Sequence, residues 1–195
     1  MKIAGLLLAA GAGRRMGTPK ALVRDPEGLA WVVRATRLLV AAGCSPVVVV
    51  TGASAQQVAS ELASEPVEPV KALDWEEGMG ASLRAGLTKV QDDTSAVAAL
   101  VVPVDLPGLT LDVVRRVAAR ADRSALVRAM YDGKPGHPVL LGREHWDGVI
   151  ATAVGDQGAR AYLEQHPPIE VECGDLADGA DVDRVEDLPE GHRIG

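Results

Sequence analysis

The stretch Leu7-Leu8-Ala9-Ala10-Gly11-Ala12-Gly13-Arg14-Arg15-Met16-Gly17-Thr18-Pro19-Lys20 joins an apolar strand to a glycine-rich turn and three cations. Glycine lets the backbone turn tightly and brings bare N–H groups against an anion, because it has no Cβ atom. Arg14, Arg15 and Lys20 add full positive charge beside those N–H groups. A loop of this composition is typical of a site that binds a polyphosphate.

Two better-known glycine loops do not fit this stretch. The dinucleotide fingerprint requires a third glycine three residues after the second, and an acid about 20 residues further on. Met16 stands in place of that glycine, and the second apolar run ends at Thr51-Gly52 without an acid. The P-loop closes on Gly-Lys-Ser/Thr, whereas this chain has Pro19-Lys20-Ala21.

The order of residues instead resembles the signature of nucleotidyltransferases with the fold of molybdenum cofactor guanylyl- and cytidylyltransferases. That family begins with a strand, Leu-Ala-Ala-Gly, a variable glycine, Arg-Met-Gly and a lysine shortly afterwards. The resemblance implies that Lys20 and Arg15 contact the nucleotide phosphates, and that residues 8–11 lie beneath the base and ribose. The predicted nucleotide-binding residues of this stretch are Leu8, Ala9, Ala10, Gly11, Gly13 and Arg14.

Length and composition predict one domain over residues 1–195. The core must consist mainly of Val, Leu, Ala and Ile, because the chain has no Phe and only 3% aromatic residues. A net charge of −7 argues against nucleic-acid binding, so the cations at 14–20 predict a local pocket. Cys44 and Cys173 stand alone, which predicts reduced cysteines in a cytoplasmic protein. Leu6-Leu7-Leu8 is too short for a membrane span, and we expect no signal peptide.

Apolar runs of strand length alternate with segments of helical periodicity. The predicted strands cover residues 3–9, 47–51, 67–71, 96–104, 125–130, 139–141 and 169–172, and the predicted helices cover 29–42, 58–62, 82–89 and 111–119. This order predicts an α/β three-layer sandwich with a Rossmann-like, mostly parallel sheet. The resemblance specifies the nucleotide-diphospho-sugar transferase type. Ligands in such sheets bind at the carboxyl ends of the strands.

Two acidic segments predict a metal site. Asp105 follows the fourth strand, across a crevice from the glycine loop, where a carboxylate can hold Mg²⁺ against phosphates. The resemblance implies the same role for Asp105, and it places the second ligand at Asp183 in the C-terminal run 181–188. Asp181 remains open as an alternative ligand. Without the resemblance, the alternatives are that Asp105 caps a helix or a turn between prolines, and that the C-terminal run is a solvated surface.

Three further segments carry the predicted base and acceptor contacts. Small residues in the stretch 77–87 open a helix, which leaves backbone N–H groups and room for a flat base. This stretch resembles the Gly-Met-x-x-Ser-Leu motif of the cytidylyltransferase branch, which implies nucleotide binding by Gly78 and Ser82. In the family, segments like 136–140 and 155–160 line the acceptor side, which implies acceptor contacts for His137 and Arg160. The alternatives are a turn histidine without a partner and an arginine paired with a structural acid.

These features predict a Mg²⁺-dependent nucleotidyltransferase in which Lys20, Arg15 and Asp105 carry the reaction. The resemblance favours transfer of CMP from CTP to molybdopterin phosphate with release of pyrophosphate, and it implies a molybdenum hydroxylase or its maturation factor as a protein partner. Residues 103–107 are closer to the guanylyltransferase pattern, which keeps GTP as the alternative. A non-catalytic nucleotide sensor or cofactor chaperone is the alternative from another class. The complete set of Lys20, Asp105 and Asp183 argues against it.

Overall fold

A seven-stranded sheet forms the centre of the computed structural model, which describes residues 1–195. Its strands are β1 (Lys2–Ala9), β2 (Val47–Thr51), β3 (Glu68–Lys71), β4 (Ala96–Pro103), β5 (Leu126–Tyr131), β6 (Lys134–Gly142) and β7 (Ile169–Glu172). They lie in the order β3-β2-β1-β4-β6-β5-β7. Only β6 runs antiparallel to its neighbours, β4 and β5. The predicted mostly parallel α/β sheet is therefore confirmed.

Helices cover both faces of this sheet. They are α1 (Trp31–Ala41), α2 (Ala55–Glu61), α3 (Met79–Gln91), α4 (Leu111–Ala118), α5 (Trp146–Thr152) and α6 (Arg160–Gln165). Buried side chains of α1, α2 and α4 form one core with one face of the sheet, and those of α3, α5 and α6 form a second core with the other. This is the three-layer arrangement that the sequence predicts. None of the helices combines the length and apolar character needed to cross a membrane.

The valine run of β2 shows why the strands are continuously apolar. Val47 and Val49 belong to one core, whereas Val48 and Val50 belong to the other. Side chains alternate between the two faces of a strand, so a strand covered on both sides needs apolar residues at every position. Thr110 caps α4 as expected, because its side-chain oxygen accepts a hydrogen bond from the backbone N–H of Val113.

Strand β6 is longer than the sequence predicts, since it begins at residue 134 and not at 139. Its first half, Lys-Pro-Gly-His-Pro, has no apolar run, but it pairs with β5 across a two-residue turn. Both turn residues, Asp132 and Gly133, have positive φ angles of 51° and 76°. Such a turn connects antiparallel strands, which explains both the extra length and the direction of β6.

The fold brings three chain segments to one edge of the sheet. Strands β1 and β4 are parallel neighbours with Leu8 opposite Pro103, so the segments that follow them start side by side. Helix α3 packs closely over β1 and β2: a Cβ atom on Gly86 would lie 2.4 Å from Cδ1 of Leu6 and 2.8 Å from Cγ2 of Val50. The glycine loop, the Asp105 turn and the start of α3 therefore surround one space.

Candidate active site

A cavity of about 420 Å³ lies at the carboxyl ends of β1 and β4. Its lining includes eleven of the residues that the sequence predicts for nucleotide and metal binding: Leu8, Ala10, Gly11, Gly13, Arg14, Arg15, Lys20, Gly78, Ser82, Asp105 and Asp183. Ala9 is the exception, because its side chain is buried in the core on the other face of the sheet. Alternation along β1 separates Ala9 from Leu8 and Ala10 in this way.

The glycine loop is tight at one glycine and open at another. Gly13 has a φ of +62°, and a Cβ atom there would lie 1.7 Å from the carbonyl oxygen of Thr18. The buried side chain of Met16 anchors the loop in the core, and its N–H donates to the carbonyl of Gly13. A Cβ atom on Gly11 would meet no protein atom within 4 Å. The backbone at Gly11 therefore faces the open cavity, as close contact with an anion requires.

A group of opposite charges faces this loop. Lys20 Nζ lies 2.8 Å from Oδ2 of Asp105 and 2.5 Å from Oδ1 of Asp183. Arg15 Nη1 lies 3.3 Å from Oδ2 of Asp183. Burial disfavours the charged form of Lys20, but the two carboxylates outweigh that effect and raise the Lys20 pKa above its usual value. The hydrogen bond and charge of Lys20 in turn lower the pKa of Asp183, and Arg15 adds to this shift. Lys20 and Asp183 are therefore both charged at neutral pH.

The carboxylates of Asp105, Asp181 and Asp183 converge, with one oxygen from each lying within 4.8 Å of the others. The buried Val182 fixes this arrangement, since its N–H donates to the carbonyl of Asp105 at 3.0 Å. Asp181 and Asp183, on either side of Val182, therefore both lie beside Asp105. Three carboxylate oxygens are a donor set of the kind that Mg²⁺ and Mn²⁺ prefer. The residues present thus fit a hard divalent cation.

A second cavity, of about 960 Å³, adjoins the first, since Met79 and Asp156 line both. The predicted acceptor residues His137 and Arg160 lie in this second cavity. Burial lowers the pKa of His137, and the nearby Asp105 and Asp181 partly oppose the shift. Arg160 donates to Glu164 at 3.0 Å, one turn along the same helix.

The structure also adds residues that sequence reasoning missed. Trp75 lines the first cavity and packs against Gly52, where a Cβ atom would lie 2.8 Å from the Trp75 ring. Arg128 and Glu170 line the second cavity. A signal existed for Arg128, because it interrupts an otherwise apolar strand. Its pairing with Glu170 has no local sequence signal, since the two residues come from different strands.

The chain is similar in sequence to one described protein family and to two named enzymes. Residues 5–170 match the family described as the MobA-like NTP transferase domain. The nicotine blue oxidoreductase of Paenarthrobacter nicotinovorans is 36% identical over 196 residues, covering 95% of this chain and 94% of that protein. The molybdenum cofactor guanylyltransferase of Rhodobacter capsulatus is 34% identical over 153 residues, covering 77% of this chain and 68% of that protein.

Solved structures share the fold. The crystal structure of Rv0371c from Mycobacterium tuberculosis is 26% identical with a TM-score of 0.83, covering 96% of this chain and 95% of that one. A structure of Rv0371c in complex with manganese is similar at 23% identity and a TM-score of 0.78, with 96% of each chain covered. The three-layer fold described above is thus that of a known group of structures.

Proposed function

Because the chain belongs to the family of MobA-like NTP transferase domains and is a nucleotidyltransferase, we propose that it transfers CMP from CTP to the phosphate of molybdopterin. The observation that carries this proposal is the meeting of Lys20, Asp105 and Asp183 opposite the glycine loop. A phosphate-binding loop, a fixed ammonium and paired carboxylates are the parts that phosphoryl and nucleotidyl transfer require. The adjoining second cavity offers the space for the acceptor.

Asp105 and Asp183 would hold Mg²⁺, with Asp181 in reach as a third ligand. When bound, a divalent cation neutralises phosphate charge and polarises the phosphoryl oxygens. The three carboxylates beside the first cavity support this assignment, because without a bound cation their negative charge would repel the phosphates of the nucleotide. The manganese in a structure of Rv0371c is a further reason to test both ions.

The residues of the chain act by binding and positioning. In the proposed reaction an oxygen of the acceptor phosphate bonds to the α-phosphorus, the bond from that phosphorus to the bridging oxygen breaks, and pyrophosphate leaves. A phosphomonoester is largely ionised near neutral pH, because its second pKa is about 6, so no general base is needed. Lys20, Arg15 and the backbone N–H groups at Gly11 hold the phosphates and oppose the charge that develops on pyrophosphate.

Lys20 is the residue that changes partners when nucleotide binds. Its ammonium has three donors, and in the structure it bonds to two carboxylates. A phosphate oxygen entering the cavity can replace one carboxylate as acceptor. Lys20 thereby keeps the two carboxylates close together before the nucleotide arrives and neutralises the phosphates afterwards.

The choice of base rests on the start of α3. Ser82 is buried, with 5% of its surface exposed, and lines the cavity with Gly78, so its hydroxyl can bond to one base edge. The resemblance of this segment to the cytidylyltransferase motif favours CTP. GTP is the second candidate, because the relative from Rhodobacter capsulatus is named a guanylyltransferase. The cytosine product would serve a molybdenum hydroxylase, directly or through its maturation factor.

The test is to incubate the protein with Mg²⁺, molybdopterin and each of CTP, GTP, ATP and UTP, and to measure both pyrophosphate and the dinucleotide product by mass spectrometry. We expect a cytosine dinucleotide and equimolar pyrophosphate. A guanine product would transfer the proposal to GTP. Binding without turnover of any nucleotide would contradict the proposal and favour a sensor.

A parallel assay covers the oxidoreductase class. The relative from Paenarthrobacter nicotinovorans, 36% identical, is named an oxidoreductase, so a redox reaction is tested beside nucleotidyl transfer. NADH and NADPH oxidation with nicotine blue as acceptor should be followed by absorbance. We expect no oxidation above the rate of the protein-free mixture. Steady oxidation, together with no release of pyrophosphate, would replace the proposed function.

A further inference from the structure

The floor of the second cavity carries a charged pair where strand β5 meets the edge strand β7. Arg128 lies at the centre of β5, between the fully buried Val127 and Ala129. Its neighbours in register are Val139 of β6 and Glu170 of β7, and both line the cavity with it. Arg128 Nη2 donates to Oε1 of Glu170 at 2.8 Å. Folding alone favours an apolar residue at such a position, because desolvating a charge is costly.

Arg128 is short of partners within the protein. Its guanidinium has five N–H donors, yet it makes one hydrogen bond, and its Nε is buried without a partner. Arg143 provides the contrast, since it donates to three backbone carbonyls and stacks on Trp146. Arg143 is thus satisfied as a structural arginine. The position of Arg128 on the cavity floor suggests that a ligand completes its hydrogen bonds.

The pair offers a donor beside an acceptor. Arg128 presents N–H groups, and Oε2 of Glu170 has no partner within the protein. This arrangement complements a planar ring edge in which a carbonyl stands next to an N–H group. Pro167, Pro168 and Leu163 add apolar surface to the same cavity, against which a flat ring can pack.

We propose that the Arg128–Glu170 pair binds the heterocycle of the acceptor by a lactam edge of the pterin type. This inference rests on the proposed function, because that function supplies a pterin phosphate as acceptor. The two cavities meet at Met79 and Asp156, so a ligand spanning both places its phosphate near Asp105 and its ring on β5 and β7. Arg128 is then a residue that selects the acceptor, and it takes no part in the transfer itself.

The test uses 6-hydroxymethylpterin, which carries no phosphate, and follows the quenching of its own fluorescence on titration with protein. We expect Arg128→Met and Glu170→Gln to weaken binding at least tenfold, because each removes a charge-assisted hydrogen bond to the ring. Arg128→Lys should not restore binding, because a point charge lacks the planar fork of a guanidinium. Arg123→Met is the matched control, since it removes one side of an exposed arginine–glutamate pair, Arg123 and Glu144, outside both cavities.

The thermal shift with CTP and the release of pyrophosphate separate this inference from the proposed function. The thermal shift that CTP and Mg²⁺ produce should be the same in wild type and all four variants, because the first cavity is unaltered. Equal pterin affinity in wild type and Arg128→Met would overturn the inference, as would a wild type that responds to CTP but not to the pterin. A wild type that neither responds to CTP nor releases pyrophosphate, but binds pterin through Arg128, would refute the proposed function and leave only the pterin site.

Discussion

Replacing Lys20 by methionine removes the one ammonium that bonds to both Asp105 and Asp183 in the first cavity. The Lys20 side chain is 18% exposed, against 21% for Asp105 and 46% for Asp183, so water replaces only part of the lost interaction. Removing one partner of a part-buried charged hydrogen bond costs about 1–3 kcal/mol, and the exposure of Asp183 favours the lower half of that range. For a chain of this length we expect the Tm to fall by roughly 2–8 °C.

The same substitution should strengthen the response to divalent cations. In the wild type, an added cation competes with the Lys20 ammonium for oxygens of Asp105 and Asp183. In Lys20→Met that competitor is gone, so Mg²⁺ or Mn²⁺ should raise the Tm of the variant more than that of the wild type. The rate of nucleotidyl transfer should nevertheless fall, by about 10²–10³-fold, because the phosphates lose a fixed donor.

The pH dependence of the Tm is an independent test of the Lys20–Asp183 ion pair. The Asp183 pKa is lowered below 3.8, so its contribution to stability is present above that value and is lost as the pH falls through the folded pKa. The Lys20 pKa is raised above 10.5, so its contribution is present below that value and is lost above the folded pKa. The difference in Tm between wild type and Lys20→Met should therefore become smaller at both very low and very high pH.

Differential scanning fluorimetry at graded Mg²⁺, without nucleotide, measures these effects. The control is Lys89→Met, because Lys89 pairs with the exposed Asp92 and Glu68 away from both cavities and should leave the Tm and its Mg²⁺ dependence nearly unchanged. Identical Mg²⁺ titrations for wild type and Lys20→Met would refute the reasoning, because Lys20 and the cation would then not compete for the same carboxylates.

Three further predictions concern the loop, a helix cap and a histidine. Gly11→Ala should leave the Tm unchanged, since the added methyl group meets no protein atom within 4 Å. It should weaken CTP binding at least tenfold, measured by calorimetry, because the methyl group occupies space that the phosphates need. An unchanged CTP affinity would contradict this prediction. Thr110→Ala removes the acceptor of the Val113 N–H and should lower the free energy of unfolding, measured in urea, by about 1 kcal/mol. An unchanged urea midpoint would show that the cap does not stabilise the fold. His137→Gln should flatten the loss of stability between pH 7 and pH 5, because burial holds the folded His137 pKa below 6.5 and stability is lost as pH falls from that value. An equal slope in the variant would exclude that role for His137.

The sheet is largely predictable because its strands are buried on both faces. The run Val47–Thr51 and the strand Ile169–Glu172 are observed with the predicted bounds. The hydrophobicity of β6 does not predict its direction, since a buried strand has the same apolar pattern whether it runs parallel or antiparallel to its neighbours. The information lies instead in Asp132-Gly133, a dipeptide typical of tight hairpins.

The site is predictable in its parts and less so in its contacts. Lys20 and Asp105 are predictable because they follow parallel strands, whose carboxyl ends carry function. Asp183 is predicted only from the family resemblance. The ion pairs of Lys20 span 85 and 163 positions of the chain, so no local pattern reveals that one ammonium bonds to both carboxylates. Arg128 and Glu170 meet only through the register of β5 with β7, 42 residues apart, and this pairing is visible only in the folded chain.

The carboxylates facing the glycine loop are the groups on which the proposed nucleotidyl transfer depends most directly. The most direct measurement compares the rate of pyrophosphate release at saturating Mg²⁺, CTP and molybdopterin for wild type, Asp105→Asn and Asp92→Asn. Asp92 is an exposed carboxylate that lines neither cavity. We predict loss of nearly all activity in Asp105→Asn and a wild-type rate in Asp92→Asn. A wild-type rate in Asp105→Asn would contradict the account.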